Sequence, residues 1–199
     1  MSPRTRTHND EAIFQATRRT IGRVGPESLT LADVGREIGL APATLLQRFG
    51  SKRKLLLAYA GWRAKTVGGM LNELIDGVED RVTVEQVVMT ALEQLVDTSP
   101  AQAVINHFTF VHFALTDTEF RSRAAYQSRE VVAALEACIQ MLVVAKELRV
   151  ENAQQLAHLV HLTMMGALST WIVEQHGPVR PWVLGAVELV LAPYRIIPR

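Results

Sequence analysis

The residues of this chain that could do chemistry are a cluster of cations, a few histidines and one cysteine. Residues 1–65 carry 12 Lys and Arg against 5 Asp and Glu, a net charge of +7, whereas the remaining residues carry 9 against 15, a net charge of −6. A basic block of this kind favours phosphate binding, and the alternative is a solvated helix surface. Its members include Arg18, Arg19, Arg23, Arg36, Lys52, Arg53 and Lys54.

Catalytic and metal chemistry find little support in the pattern. There is no Gly-rich phosphate loop, no nucleophile elbow and no His-Glu-x-x-His motif, so we expect no enzyme, no catalytic residue and no cofactor. His158 and His161 could share a metal on one helix face, but no carboxylate or thiol accompanies them, and we expect a helix–helix interface instead. The single cysteine, Cys138, excludes an internal disulfide and lies among apolar residues typical of a core.

The basic block contains a stretch, residues 30–52, that reads as two short helices and the start of a third. Thr30 is a good N-cap, and Leu31, Val34 and Ile38 follow at helical spacing. Gly39 then allows the left-handed backbone that ends a helix. The next segment has its own apolar side, and Ser51 begins a longer helix. This pattern predicts a helix-turn-helix, whose second helix enters the major groove of DNA.

With these motif residues, the chain resembles the TetR family of transcriptional regulators over roughly residues 9–57. The matching positions are Thr30, Asp33, Val34, Gly39, Thr44, Leu45, Phe49, Ser51, Lys52 and Leu55. Beyond about residue 65 the resemblance is to an architecture only. It implies a three-helix DNA-binding domain, a helical ligand-binding body, a homodimer, and a repressor that a small molecule releases.

The resemblance also assigns DNA-contacting positions. Thr44 and Lys52 match phosphate contacts, and in the recognition helix Gln can pair with adenine and Arg with guanine. Leu46 stands where the family usually has a phosphate-binding tyrosine, and Ala41 stands where a capping serine is usual, although proline is favourable at the first helical position. The residues expected at DNA are Thr30, Pro42, Ala43, Thr44, Leu46, Gln47, Arg48, Lys52 and Arg53.

An effector pocket is expected in the second part of the chain. The segment from Ala101 to Leu115 is apolar nearly all round and mixes aromatic residues with histidines, which predicts a buried helix beside a mostly apolar pocket. Plain core packing is the alternative, and the scarcity of acids favours a hydrophobic, weakly polar or anionic effector. The candidate lining residues are Asn106, His107, Phe108, Phe110, Val111, His112, Met141, Met165 and Trp171.

The elements that must position these residues are all helical. The sequence predicts an all-α fold of about nine helices, with a DNA-binding domain at residues 1–62 and an effector-binding and dimerisation domain at 63–199. A helix from Lys52 to Val78 should link them, with a possible bend at Gly68-Gly69. The last two helices, about 151–175 and 181–192, carry more apolar surface than one core needs, which favours a four-helix bundle with a second copy.

We therefore interpret the sequence as that of a cytoplasmic, homodimeric DNA-binding regulator with no membrane span. The favoured function is repression at a palindromic operator that a largely hydrophobic effector relieves. An activator, a ligand-independent DNA-binding protein and a helical enzyme are the alternatives.

Overall fold

The computed structural model describes residues 9–76, 82–95 and 100–196. Within these ranges it contains helices, turns and a single isolated bridge between Leu148 and Arg195. The predicted all-α fold with about nine helices is confirmed, since nine described helices have eight residues or more and α7 adds one turn. The helices are α1 Asp10–Val24, α2 Leu31–Ile38, α3 Pro42–Phe49, α4 Lys52–Asp76, α5 Val84–Leu95, α6 Ala101–Val111, α7 Phe113–Thr116, α8 Thr118–Val144, α9 Ala153–Glu174 and α10 Val179–Leu191, and a 3-10 turn at Ala192–Tyr194 follows.

Side-chain caps begin several helices. Asn9 accepts from the Ala12 backbone N–H at 2.9 Å, and Asp117 accepts from those of Glu119 and Phe120. Thr83 accepts from the Gln86 N–H while the Gln86 side chain accepts from the Thr83 N–H, so α5 has a reciprocal capping box. These bonds satisfy amides that a helix leaves unpaired in its first turn.

Two clusters of buried side chains form the interior. The first joins α1, α2, α3 and the start of α4, and Phe110 and Phe120 from the later helices complete it. The second joins the rest of α4 to α5, α8, α9 and α10. Leu55 and Leu56 of α4 belong to the first cluster, whereas Val67 and Leu71 belong to the second, so a single helix contributes to both.

The linking helix α4 runs from Lys52 to Asp76 as one element, and the predicted end at Val78 lies outside the described residues. Gly68 and Gly69 fall inside it without interrupting it. At Gly68 the helix packs tightly against α8, because a Cβ there would be 2.7 Å from a Glu130 carboxylate oxygen.

The predicted single buried helix from Ala101 to Leu115 is wrong in its last turn. The helix ends at Val111, and α7 begins at Phe113 after a break at His112. Leu115 is 69% exposed. The break leaves the carbonyls of Ala114 and Leu115 outside any longer helix, and the Arg121 guanidinium donates to both of them, at 3.0 and 2.9 Å.

Among the described helices, α9 alone is long and apolar enough to cross a bilayer by length and composition. Its buried stripe packs against α8 and α10, as Val160, Met164 and Leu168 are fully buried. Its other face carries exposed apolar side chains such as Leu162. Both faces therefore account for the high apolar content of α9 within a globular helical fold.

Candidate DNA-binding surface and effector cavity

The turn between α2 and α3 is fixed by local chemistry. Thr30 and Asp33 form the predicted cap and its reciprocal bond: the Asp33 N–H donates to the Thr30 hydroxyl, and the Asp33 carboxylate accepts from the Thr30 N–H at 3.0 Å. The Thr30 hydroxyl also donates to the Asp33 carboxylate at 2.6 Å, and this bond is the main cause that lowers the pKa of Asp33. Gly39 ends α2 with φ +72°, the left-handed backbone predicted for it. A Cβ on Gly35 would be 2.3 Å from the Leu40 carbonyl oxygen, so the chain can pass this close only at a glycine.

Helix α3 presents one buried side and one open side. Leu45 is fully buried, and Phe49 is partly buried with its ring 6.0 Å from that of Phe14. The side chains of Pro42, Ala43, Thr44, Leu46, Gln47 and Arg48 are exposed. Pro42 occupies the start of the helix, and Ala41 provides no side-chain cap. Leu46 is 52% exposed and belongs to the open side.

The cations around α3 have protein partners. Arg48 forms an ion pair with Asp10 at 2.7 Å, and the Lys52 ammonium donates to the Glu27 carbonyl at 2.5 Å. Lys52 starts α4 beside Ser51, whose hydroxyl accepts from the Lys54 N–H as predicted. These contacts hold both cations at the edge of the α3 surface.

Arg53 has a different neighbourhood from the other predicted DNA contacts. Its guanidinium donates to the Asp117 carboxylate at 2.6 and 3.1 Å and to Glu119 at 2.7 Å. The hydrogen bond to Asp117 is the main cause that raises the pKa of Arg53, and the same bond is the main cause that lowers the pKa of Asp117. The pair therefore ties the first turn of α4 to the first turn of α8.

Of the predicted effector residues, two line one cavity in the second part of the chain. Val111 and Met165 border a space of about 280 Å³ between α4, α6, α8 and α9, and Phe110 borders a small void beside it. Phe108 and His112 pack against each other edge to face, 4.8 Å between centroids.

The other predicted effector residues lie elsewhere. The Asn106 amide donates to the Gly22 carbonyl at 2.8 Å, and His107 is buried against Gly22 of α1. Burial, together with the charges of Arg18 and Arg63, lowers the pKa of His107 to about 3. Met141 is 39% exposed, and the Trp171 indole donates to the Gly177 carbonyl at 3.0 Å.

The cavity also has polar residues that the sequence reasoning missed. Arg63, Gln127, Ser128 and His161 line it. A signal was present, because Arg63 lies in the apolar stripe of α4, four residues from both Tyr59 and Val67, and Gln127 lies between Phe120 and Val131 in the stripe of α8. A charged or amide side chain at such a position must be buried against something that satisfies it.

The two histidines considered for a metal and the single cysteine lie in separate surroundings. His161 shares a hydrogen bond with the Ser128 hydroxyl at 3.0 Å, whereas the His158 ring bonds to the Gln154 carbonyl on its own helix. Within the described ranges no group of three or more His, Cys, Asp and Glu could hold a metal. Cys138 is buried, which raises its pKa to about 11 and leaves it unreactive.

Comparison with known proteins gives a family match and a fold match. The model of the bacterial regulatory proteins of the tetR family matches residues 13–59, which run from α1 into α4. A transcriptional regulator from Saccharomonospora viridis, in complex with choline, has a TM-score of 0.74 and 16% identity, over 94% of this chain and 98% of that chain. SmeT, the repressor of a Stenotrophomonas maltophilia multidrug efflux pump, has a TM-score of 0.65 and 18% identity, over 96% of this chain and 92% of that chain. FadR from Bacillus subtilis, in complex with stearoyl-CoA, has a TM-score of 0.64 and 12% identity, over 92% of this chain and 98% of that chain. No curated protein sequence matches.

Proposed function

We propose that this chain, which is by its N-terminal domain a member of the TetR family of bacterial regulatory proteins, represses transcription from a palindromic operator until a small effector binds. The observation that carries the proposal is the open face of α3, held on a turn that Gly35 and Gly39 make possible. We keep the division into a DNA-binding domain at 1–62 and an effector and dimerisation domain at 63–199.

The roles proposed at DNA follow from side-chain chemistry. Gln47 and Arg48 would read base edges, and Arg48 would exchange Asp10 for guanine. Thr44 and Lys52 would contact phosphates, with Thr30, Pro42 and Ala43 at the same edge. Leu46 has no polar group, so it would contact a thymine methyl group or a sugar. Arg53 would reach a phosphate only after leaving Asp117 and Glu119.

A homodimer through α9 and α10 is part of the proposal. Their outer faces expose Leu159, Leu162, Val173 and Leu189 at 43%, 67%, 83% and 78%. Gly166 and Gly185 lie on the same helices with open space where a Cβ would be, which would allow close approach of a second copy. Such a two-fold arrangement would set the recognition helices about 34–36 Å apart, one turn of DNA.

The proposed regulation uses α4. This helix begins at Lys52 beside the α3 surface and carries Arg63 on the wall of the cavity. An effector that binds more tightly to one tilt of α4 would change the separation of the recognition helices, and only such differential affinity can shift the equilibrium. The choline and stearoyl-CoA complexes of proteins with this fold support a small-molecule effector.

The test is binding of the purified protein to DNA from immediately upstream of its own coding region, at several salt concentrations. Lys52→Ala should weaken binding and lower the slope of log affinity against log salt by about 1, because one phosphate contact is lost. Lys65→Ala removes the same charge from an exposed site about 20 Å further along α4, and it should leave both quantities unchanged.

Sequence-independent binding with equal effects of the two substitutions would refute the proposal. Protection of a palindrome that both Lys52→Ala and Thr44→Ala abolish would support it. Lys52→Ala also removes the hydrogen bond to the Glu27 carbonyl, which could destabilise the protein. Thermal unfolding of each variant therefore separates a loss of stability from a loss of DNA contact.

A further inference from the structure

Arg63 is a buried cation with no acidic partner. The residue is 5% exposed, and its Nε and Nη1 atoms have no hydrogen-bond partner. None of the ion pairs among the described residues includes it. Burial is the main cause that lowers its pKa, and the charge of Arg18 lowers it further. The guanidinium lies over the Phe110 ring at 5.4 Å, a contact that offsets only part of the lost hydration.

Most of the buried polar atoms that have no hydrogen-bond partner belong to residues that line one cavity. Five buried side-chain N and O atoms in the described ranges have no hydrogen-bond partner, and four of them belong to Arg63, Gln127 and His161. These three residues line the same cavity of about 280 Å³. Native proteins leave few buried polar atoms unpaired, so three residues with unpaired atoms around one cavity indicate a missing partner.

The charge of the cavity gives the sign of that partner. Its lining contains Arg63 and Arg121 and no carboxylate. Arg121 already donates to the carbonyls of Ala114 and Leu115, whereas Arg63, which lies beside the buried Tyr59 hydroxyl, has no carboxylate or carbonyl acceptor among the described residues. A guanidinium presents N–H groups in a fixed fork that fits the two oxygens of a carboxylate.

The rest of the wall gives the body of the ligand. Val111, Ala124, Ala125, Val131 and Met165 provide apolar surface. The space of about 280 Å³ is partly open to solvent, so it can hold the polar head and the first part of an apolar chain that extends out of it.

We propose that the cavity between α4, α6, α8 and α9 binds an amphipathic monocarboxylate, with the carboxylate on Arg63 and an apolar chain along Val111, Val131 and Met165. The Gln127 amide donates to the same carboxylate. In this assignment the Ser128 hydroxyl, 3.0 Å from His161 Nε2, donates to that nitrogen, and the Nδ1–H of His161 is a third donor to the carboxylate. This assignment rests on the proposed function, because it names the effector class of that regulator.

The first experiment is calorimetric titration of the full-length protein with decanoate, decanol and decylamine. Decanoate should bind more tightly than decanol by roughly 10- to 100-fold, the range for hydrogen bonds to charged groups, and decylamine should not bind. Equal binding of decanoate and decanol would overturn the proposal, as would preference for decylamine. Preference for decyl phosphate, titrated in the same way, over decanoate would overturn the assignment of a carboxylate.

The second experiment uses Arg63→Met, with Arg123→Met as a charge-matched control. Arg123 borders the neighbouring void but lies outside this cavity's lining. Arg63→Met should reduce decanoate binding to the level of decanol and raise the melting temperature of the empty protein, because removing an unpaired buried charge is stabilising. Arg123→Met should change neither. A structural role of Arg63 would instead lower the melting temperature and leave the preference for decanoate.

Failure of the two proposals can be told apart. Titration measures the ligand without DNA, and operator binding without ligand measures the regulator. Decanoate binding through Arg63 in a protein that ignores its upstream DNA would refute the proposed function alone. Specific DNA binding without preference for decanoate would refute the carboxylate site alone.

Discussion

The turn of the helix-turn-helix can be tested by adding one methyl group. In Gly35→Ala the new Cβ would be 2.3 Å from the Leu40 carbonyl oxygen, whereas Cβ atoms in proteins essentially never come within 3.0 Å of such an atom. The turn must therefore open by about 0.7 Å or more. Overpacking of this kind costs about 1–3 kcal/mol, and the gain in helix propensity from Gly to Ala returns about 1 kcal/mol.

Gly69→Ala is the matched control. Gly69 lies inside α4, and a Cβ there would meet nothing within 4 Å. Gly69→Ala should raise the free energy of unfolding by about 1 kcal/mol, the same gain in helix propensity, and it should introduce no strain. This gain corresponds to a rise in melting temperature of about 2–4 °C for a chain of this size. The propensity gain cancels between the two variants, so the difference between their free energies of unfolding measures the strain alone, about 1–3 kcal/mol.

The assays are thermal unfolding and operator binding of both variants. Gly35→Ala should melt below Gly69→Ala by about 2–12 °C and should weaken specific DNA binding, because the turn positions α3. Gly69→Ala should bind as the unmodified protein does. If Gly35→Ala is as stable as Gly69→Ala and binds the operator equally well, the close approach at Leu40 does not position the recognition helix and the reasoning fails.

Three further predictions concern charge, pH and assembly. Asp117→Asn keeps a capping side chain on α8 and removes the main carboxylate partner of Arg53, which leaves Glu119 as the other one, so operator affinity and its salt dependence should rise in a binding titration. Asp76→Asn, at the far end of α4, should change neither. The pKa of His107 falls from 6.5 to about 3 on folding, so the unfolded chain binds more protons than the folded chain between these pH values. The free energy of unfolding should therefore fall by about 1.4 kcal/mol for each unit by which the pH is lowered through this range. His107→Gln should remove that loss in denaturant titrations at pH 7 and 5, and equal losses would contradict it. Leu162→Glu on α9, 67% exposed, should yield monomers in sedimentation, whereas Leu115→Glu, 69% exposed on α7, should not; a Leu162→Glu dimer would exclude this interface.

The features that the sequence predicted well are those that depend on near neighbours. Thr30 and Asp33 cap α2 through residues three positions apart, and Gly39 ends that helix through its own backbone. Such rules hold without knowledge of the fold. The break at His112 was missed because apolar residues continue through it, and the bonds that Arg121 makes to Ala114 and Leu115 come from the start of the next helix.

The cavity proposed for the effector could not be located by composition alone. The pocket was predicted from the aromatic residues and histidines of α6, yet Asn106 and His107 pack against α1, where Gly22 leaves room for them. A side chain on a buried helix has several possible partners, and only packing decides which it meets. The more informative signal was a polar residue inside an apolar stripe, as at Arg63 and Gln127, since burial there requires a partner.

The position of Arg63 on α4 also suggests how effector binding could change the affinity for DNA. Arg53 and Arg63 lie on one helix, ten residues or about 15 Å apart, and the Gly68-Gly69 pair that suggested a bend lies beyond Arg63. A bend there would leave the segment between the cavity and the DNA-binding surface rigid. A carboxylate that moves Arg63 would therefore move the first turn of α4 with it, against the Arg53 bonds to Asp117 and Glu119. The coupling between ligand and operator should then depend on that ion pair, and Asp117→Asn should reduce the factor by which decanoate changes operator affinity as well as raising the affinity itself.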